Sequence, residues 1–336
     1  MQVKGKVSAV PRKDPLTVPH FRSFPALAAH ITTAKLGRVD SREWREEWAE
    51  RWVVYADLVA FASRALRSET VVLNNIIRFD RASTLVTERF PNVTVRRFSD
   101  ATFAIAATFH QAVAFGVALS HACLAFNREY LDRGTKPFFI HLIAPRVTIA
   151  HGQVLLLPSA TTPDTRLDGI DPRNIIAGSA IVRAYQLERH SAGGLLTIDQ
   201  AGIDSLRRMQ ARGDNGRVAG GVRRWIDHLG DAQAVQKGEV LFHRGSVVDI
   251  PWLLLRPLQN DADCLWGAQS DDADLAISTF LEVWDKSVRE FYSPQNHDVP
   301  LEVAKHYQAA TRHGVQSYHA AHGRRIPKFQ AVAELL

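Results

Sequence analysis

The chain predicts an α+β fold, a mostly antiparallel sheet with helices packed on one face of it. Three observations carry this. Short apolar, β-prone runs alternate with longer helical stretches. A hairpin signal lies between Thr94 and Ala106. The order strand, helix, hairpin, helix, strand pair, helix is the order of a layered α+β domain.

Residues 1 to about 40 hold Pro11, Pro15, Pro19 and Pro25 with little periodicity and read as an irregular arm. Asp40 and Glu43 have capping-box spacing, so a helix is predicted to follow, with Trp44 and Trp48 four apart on one face. Trp52 to Leu58 is a buried strand. Ala60 to Phe90 reads as helical, with Leu66, Ile76, Ile77 and Leu85 available for a core. Thr94 to Ala106 turns around Ser99 and Asp100. Gln111 to Tyr130 is a helix, and Phe138 to Leu157 reads as a strand pair, FFIHLIAP and RVTIAHGQVLLL. The Pro-, Asp- and Thr-rich stretch from Pro158 to Arg173 is a loop. A helix follows from Gly178 to Glu188, then a strand at Leu195 to Ile198, a helix at Gln200 to Met209 and a Gly- and Arg-rich connector. Final strands are predicted within Val240 to Leu255, and helical periodicity returns after Pro257. The division is an arm and helix (1–48), a central domain (49–257) and a helical C-terminal extension (258–336).

The chain has 336 residues, 46% of them hydrophobic and 23% charged, enough for a sizeable core. Two cysteines, Cys123 and Cys264, exclude a disulfide framework and fit a reducing cytoplasm. Lys4, Lys6, Arg12 and Lys13 precede no apolar run, so no signal peptide is expected. The apolar stretch from Ala101 to Leu119 is broken by His110 and Gln111, and is expected to be a buried helix and not a membrane span. A net charge of +6 suits a phosphorylated ligand. It would also suit nucleic acid, but no basic and aromatic motif accompanies it, so no nucleic-acid partner is expected.

Asp57 ends an apolar strand and Asp100 sits in a hairpin turn. A turn aspartate explains Asp100 alone. It does not explain Asp57, because the residues that follow offer no cationic partner and burying an unpaired charge is costly. Two such carboxylates brought together repel unless a divalent cation bridges them, and oxygen donors select Mg²⁺ or Mn²⁺. Other constellations fall short. His313, His319 and His322 lack a third well-spaced ligand. Asp261, Asp263, Asp271, Asp272 and Asp274 lack the Gly and Glu of a calcium loop. Gly220-Gly221 is not a P-loop, and there is no G-x-S-x-G elbow.

These residues resemble the catalytic domain of class III adenylate and guanylate cyclases. The family's F-x-D-h-x-G-F-[ST] is matched by Tyr55-Ala56-Asp57-Leu58-Val59-Ala60-Phe61-Ala62-Ser63, and G-D-x-x-[LM]-A by Ser99-Asp100-Ala101-Thr102-Phe103-Ala104. R-[VI]-G-[IV]-x-x-G is matched by Arg146 to Gly152, and G-x-x-V-N-x-A-x-R-L-E is echoed by Gly178 to Glu188. The four stand in family order. The resemblance implies a ferredoxin-like antiparallel sheet and a cytoplasmic homodimer with active sites at the interface. Each site would use two metal ions, Mn²⁺ or Mg²⁺, held by Asp57, Asp100 and the Leu58 carbonyl. One metal would activate the ribose 3′-hydroxyl of a nucleoside triphosphate and the other would brace the triphosphate. Backbone N–H groups from Leu58 to Ala62, Phe61 among them, would cradle phosphate. Arg146 would contact the leaving pyrophosphate, and Arg244 lies near where the family keeps a phosphate-binding lysine.

The departures bear on the base. The family's transition-state Asn falls on Val182 and its Arg on Gln186, with Arg183 next door as a substitute. Ala60 and Thr148 replace glycines. Where adenylate members carry Lys and guanylate members Glu, this chain has Arg96; the second selecting position falls near Asn174 or Ile175. Tyr55 stands where the family has Phe, on the strand face of Asp57. A tyrosine hydroxyl and an arginine suit a carbonyl-rich base edge, and their bulk shortens a pocket, so uracil is favoured ahead of cytosine. An Arg96 facing solvent is the plain alternative. The departures look like those of the pyrimidine cyclases of bacterial anti-phage signalling, whose cyclic UMP or cyclic CMP activates a separate effector. Three other readings stand: an adenylate or guanylate cyclase, an inactive cyclase-like regulator, and a nucleic-acid-binding module.

Overall fold

The structure, a computed structural model, describes residues 23–33, 47–59, 61–62, 68–134, 138–156, 176–188, 191, 195–211, 242–244, 247–251, 278–283 and 286. The chain divides into two compact units, Met1–Glu46 and Glu47–Leu336. In the first, Phe24–Thr33 forms helix α1. In the second, chain order runs β1 (Trp48–Leu58), α2 (Glu69–Thr87), β2 (Thr94–Phe98), β3 (Ala101–Ala106), α3 (Phe109–Asp132), α4 (Phe138–His141), β4 (Pro145–Leu155), α5 (Ser179–Leu187), β5 (Leu195–Asp199), α6 (Gln200–Ala211), β6 (Phe242–Arg244) and β7 (Val247–Pro251).

The strands make one sheet in the order β2-β3-β1-β4-β5-β7-β6. Only β4 and β5 run parallel; every other pair is antiparallel. The first four strands and helices α2 and α3 form the β-α-β-β-α-β arrangement of a ferredoxin-like core, as the sequence predicts. From Trp52 onward β1 is buried throughout, as a central strand covered on both faces must be. Trp52, Val54, Ala56 and Leu58 face the main core with α2 and α3, while Val53 and Tyr55 face a second cluster under α5. The expectation of helices on one face therefore holds for α2, α3 and α6 but not for α5.

Local signals place the helices. Ser68 caps α2 by accepting from the Val71 N–H, and Thr108 caps α3 by accepting from the Gln111 N–H. Helix α3 is long and apolar enough to cross a membrane, yet most of it lies inside the core. Its small residues let it sit close: a Cβ on Gly116 would meet Val147 Cγ1 at 3.0 Å.

Several expectations are corrected. FFIHLIAP is not a strand of its own: residues 138–141 are α4, 142–144 are a linker, and Pro145 opens β4. Side chains supply what a strand partner would have given: Asn127 both accepts from the Ile143 N–H (2.9 Å) and donates to the Ile143 carbonyl (2.7 Å). Asn75 donates to the Ile140 carbonyl and Arg78 to the His141 carbonyl. Trp48 lies in β1 and not in a helix, because pairing with Leu155 carries the β1–β4 ladder that far; Trp44 is outside the described residues. On α2 the core face is Val71, Asn75, Arg78, Phe79, Ala82 and Val86, so Ile77 and Leu85 are exposed. Leu66 is outside the described residues. In the C-terminal segment, Phe280, Leu281 and Val283 pack into the main core.

Candidate active site

The hairpin β2–β3 and the central strand β1 bring the two aspartates to the same end of the sheet. Asp57 pairs across β3 with Ala101, the residue after Asp100. The Leu58 N–H donates to the Asp100 carbonyl at 3.1 Å, which ties the turn to the end of β1. Ser99, the other turn residue, takes φ 52°, a left-handed conformation that a non-glycine side chain resists. It stands where the resembled motif has Gly.

Asp57 and Arg146 are register partners on β1 and β4 and face the α5 side of the sheet. Arg146 Nη2 lies 2.5 Å from Asp57 Oδ2 and also pairs with Glu188 Oε1, at the end of α5. The three side chains are 21%, 12% and 17% exposed, so water screens their charges weakly. Arg146 Nε is buried and has no acceptor among the described residues. Asp57 holds its proton more tightly than an ordinary carboxyl. Burial is the main cause, Arg146 pulls the other way, and the Glu188 and Asp100 charges add to the rise. Two carboxylates, Asp57 and Glu188, share one guanidinium, and the Asp100 charge acts on Asp57 as well, so an ionised Asp57 is not fully compensated. A divalent cation fits this donor set, since it would relieve Asp57 of the choice between a proton and an uncompensated charge. Among the described residues there is no cluster of three or more His, Cys, Asp or Glu that could hold a metal. Asp57, Asp100 and backbone would thus hold a cation only with other oxygens, such as those of a triphosphate.

Two residues further into the sheet, on the same face, runs an aromatic row. Tyr55 pairs with Phe103, and Phe103 with Arg96, so all three share one face. The Tyr55 ring packs on Phe103 (4.7 Å) and edge-on to Tyr185 of α5 (5.6 Å), and Phe103 meets Phe98 at 6.0 Å. Burial, then the charges of Asp57, Glu188, Asp100 and Tyr185, push the Tyr55 phenol well above its usual range, so it is a neutral hydroxyl. The sequence alone does not single out Phe103, although a two-residue turn at Ser99-Asp100 fixes its pairing with Arg96. In the sequence Glu188 stands out only as the end of a motif.

Other predicted residues fall elsewhere. Leu58 is buried in the main core, so only its backbone can face the site. Of the expected phosphate cradle, the Leu58 N–H donates to the Asp100 carbonyl and the Val59 N–H to the Ala144 carbonyl at 2.9 Å, so these two are not free for phosphate; Ala60 is outside the described residues. Phe61 lies in a short helical stretch at 61–62 and packs partly buried on the main core. Arg183 pairs with Asp199, Nε to Oδ2 at 3.2 Å, and its Nη2 lies against Gly152. Gly152 is opposite Arg51, six residues up β1 from Asp57, or about 20 Å. Within one chain Arg183 is therefore not brought to the aspartates. Arg244 lies on the edge strand β6, four strands from β1, or about 19 Å. Asn174 and Ile175 are outside the described residues. Thr148, where the resembled motif has glycine, donates to the Ala184 carbonyl at 2.6 Å and clamps α5 to β4.

No protein-family model matches the chain, and no curated protein does. Among solved structures it is similar to the guanylyl cyclase Cya2, with 17% identity and a TM-score of 0.37 over 47% of this chain and 78% of that one. It is also similar to the adenylyl cyclase CyaB from P. aeruginosa, with 17% identity and a TM-score of 0.36 over 48% of this chain and 83% of that one. A bacterial light-regulated adenylyl cyclase matches at 14% identity and a TM-score of 0.36, over 54% and 57% of the two chains. Likeness this distant leaves function to the residues themselves, gathered where β1, β3 and β4 end.

Proposed function

We propose that the chain is a nucleotide cyclase that converts a pyrimidine nucleoside triphosphate, UTP ahead of CTP, into its 3′,5′-cyclic monophosphate and pyrophosphate. The observation that carries this is the meeting of Asp57 and Asp100 at one sheet end, with Arg146 between Asp57 and Glu188. In the reaction the ribose 3′-hydroxyl loses its proton to water, its oxygen bonds to the α-phosphorus, the bond from that phosphorus to the bridging oxygen breaks, and pyrophosphate leaves with the electron pair. A divalent cation held by Asp57 and Asp100 would supply charge neutralisation and a more acidic 3′-hydroxyl. The chain's own share is positioning: Arg146 offers its donors to phosphate oxygens, and carboxylates exclude a second anion from the cation's side.

Tyr55, Phe103 and Arg96 form the wall that reads the base. A neutral tyrosine hydroxyl and a guanidinium both donate to carbonyl oxygens, and Phe103 adds bulk, which favours a one-ring base rich in carbonyls. The exposed apolar side chains Phe98, Val182 and Tyr185 lie on the α5 side, which fits a second copy covering that side of the sheet. Arg183 and Arg244, remote from Asp57 in their own chain, would serve the partner's site in such a homodimer. The cyclic product would act as a cytoplasmic second messenger in bacterial anti-phage defence, through a separate effector.

One observation favours a second reading, an inactive cyclase-like regulator: Val182, where the resembled motif has its transition-state Asn, is an exposed apolar side chain. Incubation with ATP, GTP, CTP and UTP separately, with Mn²⁺, decides between them. Cyclic UMP as the main product supports the proposal. A purine cyclic nucleotide refutes the pyrimidine assignment, and binding without any cyclic product establishes the regulator.

A further inference from the structure

We propose that Glu188 is a positioning residue that shares the Arg146 guanidinium with Asp57, so that Arg146 does not pair with Asp57 alone. The inference rests on the reading of Asp57 as a cation ligand and Arg146 as a phosphate contact. A guanidinium and a carboxylate paired alone, both mostly enclosed, form a neutral unit that resists a cation and offers nothing to an anion. Here the same Nη2 is divided between Asp57 and Glu188. Neither carboxylate has the guanidinium to itself, so Asp57 keeps residual charge for a cation. When a cation takes Asp57, Glu188 still holds Arg146, whose buried Nε has no acceptor among the described residues.

Glu188 can do this because α5 is fixed. Thr148 binds the Ala184 carbonyl one turn before Glu188. At the other end, Gly178 takes φ 140°, and a Cβ there would collide with the Gln153 carbonyl and with Val154 Cα at 2.8 Å. The Glu188 N–H closes the helix on the Tyr185 carbonyl. The carboxylate therefore comes from a helix end clamped to the strand that carries Arg146.

The test is a double-mutant cycle on the full chain, read as Mn²⁺ affinity by electron paramagnetic resonance with a non-cyclisable UTP analogue present, and as KM and kcat with UTP. Glu188→Gln is expected to weaken Mn²⁺ binding about tenfold or more, the loss typical of an outer partner of a metal ligand. KM should rise more than kcat falls. In an Arg146→Ala background the same change should shift Mn²⁺ affinity less than about twofold, because nothing is left for Glu188 to hold. Glu188→Asp, which keeps the charge, should recover part of the loss and covers the case in which Glu188→Gln does not fold. An equal loss in both backgrounds, or none in the first, overturns the proposal while the cation reading stands. A wild-type chain that binds no Mn²⁺ overturns both.

Discussion

Ser99 holds a φ of 52° beside one of the two aspartates, a place where backbone strain has a purpose. Left-handed backbone costs a non-glycine residue about 1 kcal/mol, so Ser99→Gly is expected to raise the stability of the chain by up to about that amount. Ser99→Val should lower it by at least as much; chemical denaturation reads both. The base wall makes a second prediction. Phe103→Leu with Arg96→Lys removes bulk and the planar fork while keeping the positive charge, and should shift the ratio of kcat/KM for UTP over ATP by about tenfold or more toward ATP. An unchanged ratio would mean that the row Tyr55-Phe103-Arg96 does not read the base.

At the scale of elements, α5 is the piece that delivers Glu188 and Tyr185 to the site. Its close seat depends on Gly178, so Gly178→Ala is expected to cost more than about 2 kcal/mol of stability, through both its φ and its clash with β4. Triphosphate affinity should fall with it. This dependence was not legible in the sequence, because the seat of α5 is set by contacts between residues far apart along the chain. The hairpin was legible: two residues at Ser99-Asp100 dictate the register of β2 and β3, and with it the row holding Arg96 and Phe103. FFIHLIAP misled for a physical reason. A short apolar run has no period of its own, and its backbone groups are satisfied by Asn75, Arg78 and Asn127, whose polarity reads as surface until α2 and α3 are packed. The same buried polar face of α2 is why Ile77 and Leu85 read as core and are exposed.

At the scale of the molecule, buried titratable groups set how stability answers pH. Asp57 and Asp199 both have raised proton affinity, chiefly from burial. The fold therefore holds protons that the unfolded chain releases, and each group subtracts stability as pH rises from the ordinary carboxylate value through its raised one. Asp57→Asn imitates the protonated form. It is expected to raise the melting temperature at pH 8, change it little near pH 4, and reduce turnover about a hundredfold or more. His151, stacked on Trp52 at 4.5 Å, is shifted the other way by burial, so its share of stability is present above the ordinary imidazole value and lost as pH falls through its lowered one. A melting-temperature profile of His151→Gln should lose that acid-side decline. The proposed activity requires the carboxylates at the ends of β1 and the hairpin to act together on a cation. Mn²⁺ titration by electron paramagnetic resonance, with UTP present, measures this in the wild type, Asp57→Asn, Asp100→Asn and the double variant. The predicted result is strong binding in the wild type, a large loss in each single variant and little further loss in the double. Single variants that bind Mn²⁺ as the wild type does would contradict it.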